Sequence, residues 1–396
     1  MEYSLETIAQ ILKYALNYAE VRNYKGSDKF DALNSPFSKI IVNSKLLKIV
    51  FTQIIARSPI NLRPIFRIPK EKNPKGIGLF AHTYANLYDI TGDINFREKM
   101  DKCLEWLLQY PSPGTYGGLC WGYNMPWQSS LFFVPRYGPN AIVSTAIGQA
   151  MLRAYEVTNE SRYLECATSI IGFIRKDLHK QFDDSGLYGY SYTPYDRTMV
   201  INVSALIAGF MIRLYKYVPQ VDLLEESRKL MQFVVSKQTD YGAWFYMHPH
   251  TSSYLKHDNY HTGYILDSLL QYLIVSGDQQ WLDAYNQGIE FYSSKLFRDG
   301  YIPKYQHNQI YPIDIHGASQ GIITFSLASQ VNTAYRHQAL LVASWTLSNM
   351  LANDGHFYFQ HSRFIIKRYP LMRWAQAWMC LALSDLLLVL NGKPVN

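Results

Sequence analysis

Five times along this chain a glycine set among aromatic residues leads into a long apolar helical pattern, and no other feature narrows the fold so far. The stretches are Gly117-Gly118-Leu119-Cys120-Trp121-Gly122-Tyr123, Gly186-Leu187-Tyr188-Gly189-Tyr190-Ser191-Tyr192, Tyr241-Gly242-Ala243-Trp244-Phe245-Tyr246, Asp299-Gly300-Tyr301-Ile302-Pro303-Lys304-Tyr305 and Asp354-Gly355-His356-Phe357-Tyr358-Phe359. Glycine among rings makes a tight turn crowded with side chains rather than a strand core. Repeated units of this size bury their apolar faces only by stacking on one another, so they share one core. Length alone, 396 residues, suggests two or three domains. The repeat overrides that and predicts a single domain over residues 1–396.

Each repeat holds two kinds of helix. Residues 76–90 carry Leu79, Phe80, Tyr84, Leu87 and Tyr88 and are apolar nearly all round. Residues 95–109 instead set Phe96, Met100, Cys103, Leu104 and Leu107 against Arg97, Glu98, Lys99, Asp101 and Lys102. Only an element buried on two sides loses its polar face, which predicts an inner ring of the first kind and an outer ring of the second. Inner patterns recur at 140–157, 198–217, 261–275, 316–329 and 373–390, and outer ones at 161–178, 221–237, 280–296 and 334–351. That leaves one outer place, which residues 1–75 fill with a helix over 4–22 or 37–57, while proline-broken 58–75 reads as an irregular crossing. The expected fold is all-α, an (α/α)6 barrel whose inner helices funnel toward a cleft lined by the loops before them. The phrases ending in Thr91-Gly92-Asp93, the glycine-aromatic turns and Arg373-Trp374-Ala375-Gln376-Ala377-Trp378 make residues 76–390 resemble the six-hairpin glycosidase-like superfamily.

The loops at that rim concentrate polar and aromatic residues. Trp121, Tyr123, Trp127, Gln128 and Arg136 come from the first, and Tyr190, Tyr192, Asp196 and Arg197 from the second. Asp258, Tyr260 and His261 come from the third, Tyr305, Asp314 and His316 from the fourth, and Arg368 and Arg373 from the last. Sugar C–H faces stack on rings while sugar hydroxyls need polar partners, so the 32 tyrosines suit a glycan cleft. Asp196, Asp258 and Asp314 are the rim carboxylates, and each is also placed to cap an inner helix. Asp258, Tyr260 and His261 stand together at the mouth of one inner helix. There a free N-terminus favours an ionised carboxylate able to orient the imidazole.

Other chemistries find little footing. His248-Pro249-His250 and Asp314-Ile315-His316 are closely spaced, and His257 and His261 lie four apart, but no HExxH or paired-cysteine pattern accompanies them, so no metal or other cofactor is expected. No GxSxG elbow or phosphate-binding glycine loop occurs, and the four cysteines lack CxxC spacing. The net charge of +7 is scattered, which suits an anionic glycan better than nucleic acid. The first residues lack a basic, then apolar leader, and no run of about 18 uninterrupted apolar residues occurs, so a cytoplasmic protein without an integral membrane segment is expected.

A closer resemblance is to the glucuronyl C5-epimerase catalytic domain. It rests on Gln128, then Ser144 with Arg153-Ala154-Tyr155 and Thr158, then Tyr190-Ser191-Tyr192-Thr193-Pro194, then Asp258-Asn259-Tyr260-His261-Thr262. The chain lacks both glutamates of that family's second motif and carries Asn259 as an insertion in the third. The resemblance implies proton transfer at a uronate, with Tyr192, Tyr260, His261 or the Asp314–His316 pair as acid and base and Arg136, Arg368 or Arg373 holding the carboxylate. It also implies a role in surface polysaccharide biosynthesis. Unsaturated uronyl hydrolases share the barrel and the aspartates, which keeps a hydrolase or lyase as an alternative, beside a glycan-binding toroid without catalysis.

Overall fold

Helices that are apolar on every face close into an inner ring, and helices with one apolar stripe wrap around it. The structure is a computed structural model and describes residues 2–41, 44–253 and 255–395. In chain order the α-helices are α1 (Leu5–Glu20), α2 (Lys45–Arg57), α3 (Pro74–Thr91), α4 (Ile94–Gln109), α5 (Ala141–Thr158), α6 (Ser161–Asp177), α7 (Ile201–Tyr215), α8 (Val221–Ser236), α9 (Asn259–Ser276), α10 (Leu282–Lys295), α11 (Ile315–Ala328), α12 (Ala334–Met350) and α13 (Trp378–Leu390). Among the described residues α3, α5, α7, α9, α11 and α13 pack each on the next, and α13 returns to α3. This is the (α/α)6 toroid that the repeat predicts.

Burial follows the two helix types. Every residue of α3 from Pro74 to Leu87 is buried, whereas α4 buries the stripe Phe96, Met100, Cys103, Leu104 and Leu107 and nothing else. Four of the six inner helices start on side-chain caps, with Asn73, Asn140, Asp258 and Asp314 each accepting a backbone N–H of the first turn. The sixth outer place belongs to α1, which packs on α13. The stretch 37–57 splits instead into a 3-10 turn, Pro36–Ile41, and α2, which lies over the cleft mouth against the first rim hairpin.

The glycine-aromatic turns are short antiparallel hairpins and bridges at one end of the barrel, such as Trp127–Gln128 with Phe133–Val134 and Lys180–Phe182 with Tyr188–Tyr190. Their glycines serve two needs. Gly186, Gly242, Gly300 and Gly355 take φ between 79° and 89°, a region open to glycine at little cost. In the first turn the need is space, since a Cβ on Gly118 would lie 1.8 Å from the Ser169 carbonyl oxygen and one on Gly122 1.9 Å from that of Gly138.

The final inner helix departs from a uniform helix over 373–390. Its first turn, Met372–Ala377, is π-helical, and such turns re-aim side chains at functional sites. Here it turns Arg373 and Trp374 into the cleft. The stretch Met372–Leu390 is long and apolar enough to cross a membrane, yet 94% of its apolar window is buried inside the barrel.

Candidate active site

The N-terminal ends of the inner helices and the hairpins before them enclose a cleft of ≈ 1130 Å³. Of the expected site residues, Tyr123, Trp127, Gln128, Tyr192, Tyr260, His261, Tyr305, His316 and Arg373 line it. Asp258 and Asp314 stand directly behind that lining, as caps of α9 and α11.

Asp258 both caps and orients. Its Oδ1 accepts the His261 backbone N–H at 2.9 Å, and its Oδ2 lies 2.6 Å from His261 Nδ1. The imidazole is thereby anchored at Nδ1, and the side chain, 20% exposed, lines the cleft with Nε2 left as its other ring nitrogen. The Tyr260 ring stands between two imidazoles, 4.4 Å from that of His261 and 4.8 Å from that of His316. His316 Nε2 pairs with the Tyr264 hydroxyl at 2.7 Å, while its buried Nδ1 has no partner. Burial, with Lys75 and Arg373 nearby, holds this imidazole well below the ordinary histidine range, so it is neutral. Burial pushes the Tyr260 and Tyr264 hydroxyls well above the ordinary tyrosine range, so both keep their protons.

Asp314 is saturated. It accepts from the His316 backbone N–H, Trp374 Nε1, Gln360 Nε2 and Lys29 Nζ at 3.0, 2.8, 2.9 and 3.3 Å. A carboxylate so surrounded braces the floor and has no free lone pair for nucleophilic attack.

Five expected site residues lie elsewhere. Trp121 is 0% exposed and donates its indole N–H to the Leu107 carbonyl at 2.9 Å, because the turn aims it at α4. Tyr190 is equally buried and donates to Glu226 of α8 at 2.6 Å, its hairpin presenting that ring to the outer layer. Asp196 accepts the Thr193 and Thr198 backbone N–H groups at 2.7 and 2.9 Å, which makes it the brace of its own loop. Arg136 is exposed and paired with Glu71 at 2.7 Å. Arg368 is exposed beside Tyr358. Arg373 reaches the cleft but is already paired, its guanidinium donating to both Asp28 oxygens at 2.7 and 2.5 Å.

The unanticipated lining residues include cations and rings: Lys29, Lys75, Lys367, Tyr246, Tyr264 and Trp374. Lys29 Nζ lies 3.9 Å over the Trp374 ring, and Lys29 and Lys367 share the Phe359 ring at 5.6 and 5.3 Å. Burial, with Lys29 and Arg57 adding to it, depresses the Lys367 ammonium to about 8. Lys75, at the floor, lies 4.9 Å over Trp378, and burial beside Arg373 holds it well below the ordinary lysine range. Tyr264 was within reach of the sequence, one helical turn after Tyr260. Lys29 was not, since its loop carries no motif. Six of the lining residues are Lys or Arg, and among the described residues none is Asp or Glu.

No three His, Cys, Asp or Glu among the described residues are grouped to hold a metal ion. His257 is structural, bonded to the Trp244 carbonyl and the Tyr241 hydroxyl at 2.8 and 3.0 Å. Burial pushes the Cys103 and Cys120 thiols up to about 12, which makes them inert.

No protein-family model and no curated protein matches the chain. Solved structures do. A cellobiose 2-epimerase from Bacillus thermoamylovorans is 13% identical with a TM-score of 0.60, over 79% of this chain and 88% of that one. A GH76 α-mannanase from Bacteroides thetaiotaomicron is 15% identical with a TM-score of 0.62, over 80% and 87%. A polysaccharide lyase is 11% identical with a TM-score of 0.63, over the whole of both chains. The chain thus shares the (α/α)6 toroid fold of these structures.

Proposed function

We propose that the protein is a carbohydrate-active enzyme that moves a proton at a carbon of an anionic sugar, as a uronyl C5-epimerase does. The observation that carries this reading is the cleft lining, which offers imidazoles, tyrosines and cations and, among the described residues, no carboxylate. Hydrolysis of a glycosidic bond ordinarily takes two carboxyl groups facing the bond. Here the nearest ones, Asp258 and Asp314, are committed to His261 and to four donors. The fold's solved relatives include sugar epimerases and a polysaccharide lyase, both compatible with proton abstraction.

In the proposed reaction the uronate carboxylate sits by Lys29 and Lys367. Their charge acidifies the neighbouring C5–H by stabilising the negative charge that spreads onto the carboxylate as the proton leaves. His261 Nε2 takes that proton, and Asp258 steadies the imidazolium. A tyrosine hydroxyl, Tyr260 or the Tyr264 held by His316, returns a proton to C5 from the other ring face, which inverts the centre. A place in surface polysaccharide assembly belongs to the same proposal.

The test is incubation with uronate-containing oligosaccharides in deuterated water. Deuterium at C5 without new reducing ends is expected. New reducing ends would mean hydrolysis, and a new ultraviolet-absorbing double bond would mean elimination. A second reading, epimerisation at C2 of a neutral reducing-end sugar, draws on the cellobiose 2-epimerase relative. Deuterium at C2 of a neutral disaccharide would select it.

A further inference from the structure

Helix α2 is apolar on the side it buries and also on the side it shows. Thr52, Ile55 and Ala56 face inward, with Phe51 against Phe66 at 5.1 Å. Leu46, Leu47, Val50 and Ile54 face outward, 69%, 49%, 42% and 51% exposed. The outer barrel helices do the reverse, as α4 does in exposing Glu98, Lys102 and Glu105. An apolar helix face belongs in an apolar setting, and among the described residues nothing supplies one on that side.

The apolar surface extends around the cleft mouth. Phe37 and Ile40 precede α2 and are 45% and 82% exposed. Across the mouth, Phe133 takes Lys48 Nζ over its ring at 4.5 Å. Phe364, 87% exposed, tips a hairpin that Lys367 ties to the Arg57 carbonyl at 2.9 Å. Ile49, Ser129 and Phe364 line the cleft itself, so collar and opening are continuous.

The collar is also basic. From Ala32 to Lys70 the chain has seven Lys or Arg and no Asp or Glu, and Lys39, Lys45, Arg57, Arg67 and Lys70 are exposed. Exposed leucines and isoleucines interleaved with lysines are what an interfacial helix presents to a bilayer, its apolar side chains entering the acyl boundary and its cations meeting lipid phosphates. A second copy of the chain would set cation against cation across a two-fold axis.

We propose that this collar docks the cleft mouth on a membrane surface rich in anionic lipid. The cleft then opens onto the bilayer, which suits a glycan substrate carried on a lipid anchor; that consequence rests on the function proposed above, whereas the docking does not.

Co-sedimentation of the full chain with vesicles of phosphatidylglycerol and phosphatidylcholine, beside vesicles of phosphatidylcholine alone, tests the docking without reference to turnover. Binding to the anionic vesicles, weakened by salt, is expected. The double substitution Leu46→Ser with Leu47→Ser, at exposed positions outside the cleft lining, should weaken it about tenfold or more with an unchanged melting temperature. Lys45→Glu with Lys48→Glu should do the same. Absence of binding to the anionic vesicles overturns the proposal. So does equal binding by the variants, or a wild-type dimer in solution that the leucine substitutions dissociate.

Discussion

Asp258 spends one oxygen on the backbone of α9 and the other on the ring of His261. The two roles separate by substitution. Asparagine caps a helix about as well as aspartate, so Asp258→Asn should melt near the parent temperature while losing the acceptor that anchors Nδ1. Turnover should fall at least about a hundredfold for Asp258→Asn and for His261→Gln, the scale of a lost acid–base group. Variants that melt lower yet keep full activity per folded molecule would make both residues structural. Lys367 sets a pH limit. Its ammonium is charged below about 8 and neutral above, so kcat/KM for an anionic substrate should fall as pH rises through that value, in kcat as well as through KM. Lys367→Gln should remove this limb, and a limb that persists in the variant would belong to another group.

At the scale of elements, the turn before α5 shows how much of the site could be read from the chain. Its glycines and aromatics announced a crowded corner, but which way each ring faces depends on the outer helices behind it. Trp121 and Trp127 are six residues apart; the first is buried against Leu107 of α4 and the second stands 5.4 Å from Tyr192 in the cleft. Trp121→Ala should therefore cost roughly 3–5 kcal/mol of stability as a core deletion. Trp127→Ala should melt nearly as the parent and bind glycan more weakly, both by thermal denaturation and ligand titration. Most of the helices were legible to within a few residues, because the 3.6-residue period and the caps are local signals; the split of 37–57 and the π-helical start of the last inner helix were not. The cation corner was not: Lys29 reaches the site by pairing with Asp314, 285 residues away, and no local pattern encodes that meeting.

Across the whole molecule, the barrel axis below the cleft holds a second cavity of ≈ 120 Å³, faced by Asp267 and Asp385 and separated from the cleft by Lys75, Ile142 and Tyr264, which line both. Burial raises these carboxyls to about 8 and about 7, against roughly 3.9 in an unfolded chain. Between those limits the folded state holds more protons than the unfolded one, so their contribution to stability is full below about 4 and is lost as pH rises through 7 to 8. The melting temperature should therefore decline from about pH 5 to 8 less steeply in Asp267→Asn and Asp385→Asn than in the parent. Equal slopes would show both carboxyls ionised in the fold. The ring also has a seam, where α1 packs on the last inner helix and Gln376 Nε2 donates to the Ala15 carbonyl at 2.8 Å across 361 residues of chain. Ribosomes add about 5–20 residues per second, so α1 waits roughly 20–70 s for the segment that covers it. During that interval each newly made inner helix has a neighbour on one side only, and the nascent protein is most prone to aggregation just before the ring can shut.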